Sequence, residues 1–213
     1  SIPRNPIDSQ MLTTGELLEQ NTFAIPLNQR AWSWHEGKMG RLWRDIAATA
    51  DHFTSSSGNR KTFDGSVSGL PHFIGFMVFE GREPAEVYDG QQRLTSLCVM
   101  ISALREAVGP LANDASLSPE LRQNLNADST WLAEWQSNSQ SGQPTLTLDS
   151  QHNPLFQEYV MLARDDASRQ AARNRYESVI NSSKTTKSFL KSVDAFRREI
   201  DDSLPTESKD RAE

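Results

Sequence analysis

Tyr88-Asp89-Gly90-Gln91-Gln92-Arg93 is the stretch whose reading decides the fold. Before it lie an apolar, β-rich run, His72–Phe79, a turn over Glu80–Pro84, and Ala85–Tyr88. After it, Leu94, Leu97, Cys98, Ile101, Leu104 and Val108 recur at helical spacing. The pattern predicts a strand-turn-strand unit over His72–Asp89, then a helix from Gln91 to Val108, ended by Gly109-Pro110. Gly90 supplies the sharp turn between strand and helix, because it takes φ > 0 without a Cβ penalty. The first turn of a helix has N–H groups with no partner inside the helix and carries partial positive charge. Such an end suits a phosphate-sized anion, and Arg93 in that turn adds a bidentate grip. Asp89 at the mouth has two readings, a helix cap or a carboxylate that holds a metal ion against a phosphate.

The residues outside the turn extend the pattern. Thr13 and Glu16 form a capping box, which predicts a short helix over Thr14–Gln20. Phe23, Ile25 and Leu27 alternate as a strand, and Pro26 puts that strand at an edge or near its end. Asn28-Gln29-Arg30 then place polar side chains at a strand end. Ser33 and Glu36 form a second capping box. Met39, Leu42, Trp43, Ile46, Ala47, Ala50 and Phe53 follow as one face of an amphipathic helix. Lys38, Arg41 and Arg44 lie on its other face, either simply solvated or extending a phosphate-binding surface. Trp32 and Trp34 either staple the helix entry onto the core or present an aromatic platform to a base.

Further on, Thr54–Leu70 and Ser137–Gln143 read as loops. Ser118-Pro119 opens a helix, with Trp131, Leu132 and Trp135 as expected core. Thr145–Asp149 alternates as a strand, and Pro154–Ala163 is apolar at helical spacing. Asp165–Ser183 and Lys184–Asp202 read as two helices, followed by a charged tail.

Composition bounds the function. The chain has 213 residues, 36% hydrophobic and 23% charged, which suits a globular protein. Its net charge of -6 excludes a uniformly basic nucleic-acid clamp but leaves room for a local basic face. The single cysteine, Cys98, falls on an apolar helix face and reads as core. One cysteine forms no internal disulfide and fits a reducing compartment. No apolar run is read as a membrane span and no signal pattern opens the chain. The expected location is the cytoplasm. His35, His52, His72 and His152 stand apart, without zinc-ligand spacing. No Gly-x-x-x-x-Gly-Lys-Ser/Thr loop is present. The phosphate-binding candidates are then the turn at Gly90, Arg93 and Thr95 and the strand end at Gln29 and Arg30. Two arginines from distant segments make a workable phosphate clamp. Asp89 with Mg2+ could neutralise a nucleoside triphosphate. Gln91 or Gln92 could orient an attacking water.

Two segments carry a resemblance. Asp89-Gly90-Gln91-Gln92-Arg93-Leu94-Thr95, preceded by His72-Phe73-Ile74-Gly75, resembles the ParB-like DGQQR domain, the N-terminal domain of GmrSD-type modification-dependent restriction systems. Ile25-Pro26-Leu27-Asn28-Gln29-Arg30-Ala31-Trp32-Ser33-Trp34 matches the segment that precedes it in that family. With weaker matches at Leu146–Asp149 and Leu155–Phe156, the likeness covers about residues 13–163. The family's Tyr before Gln-Arg is Asn28 here, and its later helical Asn-x-x-Gly-x-x-Leu motif is missing.

The resemblance implies an α+β fold, a small mixed sheet with flanking helices similar to ParB and sulfiredoxin, plus a C-terminal helical extension. The expected division is a nucleotide-binding domain over 1–163 and a truncated extension over 164–213. It also implies nucleoside triphosphate binding and hydrolysis, with Asp89, Gln91 and Gln92 as catalytic residues. Sensing of modified DNA and control of an HNH-type nuclease, in the same or a partner chain, complete the expectation. The candidate DNA-binding residues are Trp32, Trp34, Lys38, Arg41 and Arg44. A ParB-like nucleotide- or DNA-binding module without turnover is the alternative.

Overall fold

The computed structural model describes residues 9–19, 21–26, 36–57, 73–138 and 141–203. Its sheet has four strands in the order β2-β3-β1-β4. They are β1 (Phe23–Ala24), β2 (Val78–Glu80), β3 (Ala85–Asp89) and β4 (Leu146–Thr147). β1 runs parallel to both β3 and β4, while β2 pairs antiparallel with β3. The fold is therefore α+β with a small mixed sheet, as the resemblance implies.

β1 is central although only two residues long. Its backbone bonds go both ways: Ala85 N–H donates to Thr22 O at 2.8 Å, and Phe23 N–H to Thr145 O at 2.8 Å. Ile25 N–H still reaches Thr147 O at 3.0 Å, but Pro26 has no N–H to continue the ladder. Pro26 thus marks a strand end, not an edge. The strand expected from His72 begins only at Val78. Gly75 has φ 110, which takes the chain out of extended geometry, and a bulge follows between Val78 and Phe79.

Eight helices occur among the described residues: α1 (Thr14–Glu19), α2 (Glu36–Ser57), α3 (Gln91–Ala112), α4 (Pro119–Glu134), α5 (Asn153–Phe156), α6 (Asp166–Arg175), α7 (Glu177–Ser182) and α8 (Lys184–Ser203). α5 runs on into a π-helical turn, Gln157–Met161. The caps follow the sequence. Glu16 N–H donates to the Thr13 hydroxyl at 3.2 Å and Thr13 N–H to Glu16 at 2.7 Å. Leu121 N–H donates to the Ser118 hydroxyl at 3.2 Å. The second capping box, at Ser33, lies outside the described residues, as do most of the loop 54–70 and the tail.

Four expectations about the helices change. α2 continues to Ser57, into the stretch read as a loop from Thr54. α3 runs through Gly109-Pro110 to Ala112. Asn113 Nδ2 caps the Gly109 carbonyl at 3.0 Å, so the last turn holds although Pro110 lacks a donor. The segment read as one helix over Asp165–Ser183 breaks at Tyr176 into α6 and α7. Trp131 is 59% exposed rather than core, because Leu132 and Trp135 are the residues of this stretch that pack against the core.

One contiguous cluster forms the core. It joins Leu18, Phe23 and Val87 to Leu94, Leu97 and Ile101 of α3, and these to Tyr159 and to Leu190, Val193, Phe196 and Ile200 of α8. Among the described residues α3 is long and apolar enough to cross a membrane, where the sequence predicts no such run. Its apolar residues from Leu94 to Ile101 are buried here, so the composition is that of a central core helix. Cys98 is buried as expected, and burial pushes its thiol up to about 12.

Candidate functional site

The parallel strands β1, β3 and β4 end at one edge of the sheet. Such an edge, where the strand order reverses around a central strand, is where open sheets with parallel strands form crevices. The turn after β3 sits there. Val87 is buried and anchors β3, while Tyr88 is exposed on the next register position. A hydrogen bond to Glu80 raises the Tyr88 phenol above its ordinary pKa. Gly90, at φ 89 and ψ 9, turns the chain into α3. A methyl group there would meet Met77 Cγ at 2.6 Å, so glycine is required by both backbone and space.

Gly90, not Asp89, is the N-cap of α3, and no side chain caps this end. The first bond within the helix runs from Leu94 N–H to Gly90 O at 2.9 Å. Asp89 Oδ1 instead accepts the Gly90 N–H at 2.8 Å. Its Oδ2 stands 3.5 Å from Arg93 Nη2, and the carboxylate is 70% exposed.

Arg93 is held more tightly than a surface residue. Its Nη2 donates to the Phe76 carbonyl at 2.6 Å, and only 27% of the side chain is exposed. Its Nε is enclosed without a partner. The structure therefore brings Asp89 and Arg93 together at the mouth of the turn. Gln91 and Thr95 are placed inside it. Gln91 is buried and its Nε2 donates to Val87 O at 2.8 Å, while Thr95 is 4% exposed. Gln92 is half-buried, so of the two glutamines it is the more accessible.

Lys38 and Arg41 are exposed on α2. Arg44 forms an ion pair with Glu199 of α8 and so belongs in part to the packing of α2 on α8. Gln29, Arg30, Trp32 and Trp34 lie outside the described residues.

The residues that hold Arg93 escape sequence reading. Gly75 leaves room for the guanidinium and Phe76 supplies a backbone oxygen. Only the glycine is a signal in sequence, since any residue has a carbonyl. The rings of Phe73 and Phe76 stand exposed beside this contact, edge to face at 5.3 Å.

These features define an α+β domain whose distinguishing element is an Asp–Arg turn between a parallel strand and a core helix. The family model described as the GmrSD restriction endonuclease N-terminal domain matches residues 14–212, and the chain belongs to that family. Membership gives it a role in a restriction system. No curated protein matches the chain.

Proposed function

We propose that this chain binds and hydrolyses a nucleoside triphosphate at the Asp89–Arg93 turn, and that it senses DNA on behalf of a nuclease domain. The observation that carries the reading is Arg93. A partly enclosed guanidinium is held at an uncapped helix start, with a mostly exposed carboxylate beside it. Arg93 and the helix start bind phosphate oxygens. Gly90 lets the backbone come close to them. Gln29 and Arg30, which follow β1 in sequence, supply a second grip.

Asp89 is the residue to hold Mg2+. Among the described residues no three His, Cys, Asp or Glu side chains gather into a metal-binding group. One exposed carboxylate suits an ion that keeps its waters and is carried mainly by the substrate's phosphates. When bound, Mg2+ supplies charge neutralisation. Gln92 orients the attacking water. Gln91, tied to Val87, fixes the turn, and Thr95 packs beneath it.

DNA meets the exposed cations Lys38 and Arg41, with Arg44 beside them, and modified positions meet Trp32 and Trp34. The Phe73–Phe76 pair offers a further aromatic surface of the kind bases stack on. The nuclease is an HNH-type domain in the same or a partner chain. The setting is antiphage defence in the cytoplasm, where DNA and nucleotides are at hand.

A phosphate-release assay with several nucleotides and Mg2+ tests the reading, with Arg93→Ala as the control. Turnover that is lost in the variant supports it. Gln91 being committed to Val87 favours, as second reading, a ParB-like module that binds nucleotide or DNA without turnover. Nucleotide binding with no phosphate release selects that one.

A further inference from the structure

The register of the sheet brings a second polar group to the edge where the Asp89–Arg93 turn lies. Phe23 is level with Ala85 of β3 on one side and with Leu146 of β4 on the other. Because β1 runs parallel to both neighbours, the chain leaves β3 and β4 at the same end of the sheet, one on either side of β1. The loops after β3 and β4 thus flank the end of β1, roughly 10 Å apart at two strand spacings.

The loop after β4 holds a carboxylate–imidazole pair. His152 Nδ1 lies 2.9 Å from both Asp149 oxygens. The side chains are 33% and 20% exposed respectively. With the carboxylate on Nδ1, that nitrogen carries the proton and Nε2 presents a lone pair. Nε2 has no hydrogen-bond partner among the described residues. Closing the loop does not require the imidazole. Asp149 Oδ1 already accepts the Gln151 N–H at 3.0 Å, and Asn153 Oδ1 accepts the Leu148 N–H at 3.0 Å and Gln157 Nε2 at 3.0 Å. Gln157 in turn donates to Leu146 O at 2.9 Å, which fixes the loop to β4.

We infer that His152 is the proton acceptor for hydrolysis at this edge and that Asp149 positions it; the inference rests on the proposed nucleotide hydrolysis. A glutamine orients a water but is too weak a base to take its proton, and the pair supplies that missing function. The water oxygen attacks the terminal phosphorus and forms the new P–O bond. The bond from that phosphorus to the bridging oxygen breaks, and its electron pair leaves with the nucleoside diphosphate. The water proton passes to His152 Nε2, and the Asp149 carboxylate stabilises the imidazolium. His152 then releases the proton to solvent.

The test compares the 213-residue protein with its His152→Ala and Asp149→Asn variants. Phosphate release, nucleotide affinity by calorimetry and thermal melting are followed together. The expected result for His152→Ala is a fall in turnover of about a hundredfold. Affinity and melting should be unchanged, and added imidazole should restore part of the rate. Asp149→Asn should lower turnover while leaving affinity alone, because it no longer fixes the tautomer. Wild-type turnover in His152→Ala overturns the inference and leaves the proposed function standing. A loss that follows the melting temperature and resists imidazole assigns the pair to structure and also overturns it. A wild-type protein that releases no phosphate overturns the hydrolysis reading and the inference with it.

Discussion

A methyl group at Gly75 would lie 2.8 Å from Nη1 of Arg93, and Gly75 adopts φ 110. The glycine is the wall against which the guanidinium rests. Gly75→Ala should therefore displace Arg93 from the Phe76 carbonyl and strain the backbone. The expected stability loss is about 1–3 kcal/mol, with weaker nucleotide binding. Arg93→Ala removes the same contact without the strain. As a surface residue it would leave stability unchanged; held as it is, its loss should cost about 1.5–3 kcal/mol through the charge-assisted bond. Melting curves and calorimetry on both variants check this. Unchanged affinity in both would remove Arg93 from the phosphate site.

Asp89 separates a cap from a ligand. Gly90 is the N-cap, and among the described residues Asp89 accepts only from the adjoining Gly90 N–H and, at 3.5 Å, from Arg93. Asp89→Ala should then cost less stability than the roughly 0.5–2 kcal/mol of a lost cap. Mg2+-dependent hydrolysis should fall further than nucleotide affinity. A cap-sized loss of stability with intact hydrolysis would return Asp89 to a structural role.

The turn is legible in sequence because its parts are local. Gly90 marks the positive φ, and the apolar spacing after it changes from strand to helix. The capping box at Thr13 and the helix start at Ser118-Pro119 are legible for the same reason. What escapes is set by distant backbone. The central place of β1 depends on Thr22 and Thr145 carbonyls, which no side chain announces. The hold on Arg93 depends on the Phe76 carbonyl, seventeen residues before it in the chain. Trp131 misleads because a large apolar residue on a helix is expected inside, yet α4 has no fully buried position. The Asp149–His152 pair is close in sequence, but only the parallel register of β4 brings it to the edge that carries Asp89.

Arg197 tests how the C-terminal helices contribute. It is 4% exposed, donates to Tyr159 O at 3.1 Å and to the Ser102 hydroxyl at 3.0 Å, and lies 3.3 Å from Glu106. Burial pulls its pKa down and the Glu106 charge pushes it back up. Arg197→Ala removes the donor to Tyr159 O and Ser102 while Glu106 keeps its ion pair with Arg169, and the expected cost is about 1–3 kcal/mol. Arg197→Met fills the volume and should recover part of it. The same reasoning covers a chain cut after Ala163. It loses Phe189, Leu190, Val193, Phe196 and Ile200 from the shared core, so it should not unfold cooperatively. A sharp thermal transition in the shortened chain would show that 1–163 folds alone.

The cations of α2 decide the DNA reading. Lys38 and Arg41 are exposed, while Arg44 is partly committed to Glu199. The protein's net charge of -6 requires DNA to approach a favourable patch. Each phosphate engaged should add roughly -0.9 to the slope of log affinity against log salt. Arg41→Glu should weaken binding to plain and modified duplex alike and flatten that slope. Arg44→Ala should do less to the slope, since its charge is shared with Glu199, and should loosen α2 from α8. Trp32→Ala should leave the slope alone and narrow the difference between the two duplexes, because base or modification contacts specify while phosphate contacts position. Fluorescence anisotropy over a salt series, with plain and modified oligonucleotides, reads all three variants. A slope that Arg41→Glu does not change takes α2 out of the DNA surface. Equal loss on both duplexes in Trp32→Ala makes that tryptophan part of the scaffold, and recognition of the modification must then come from elsewhere.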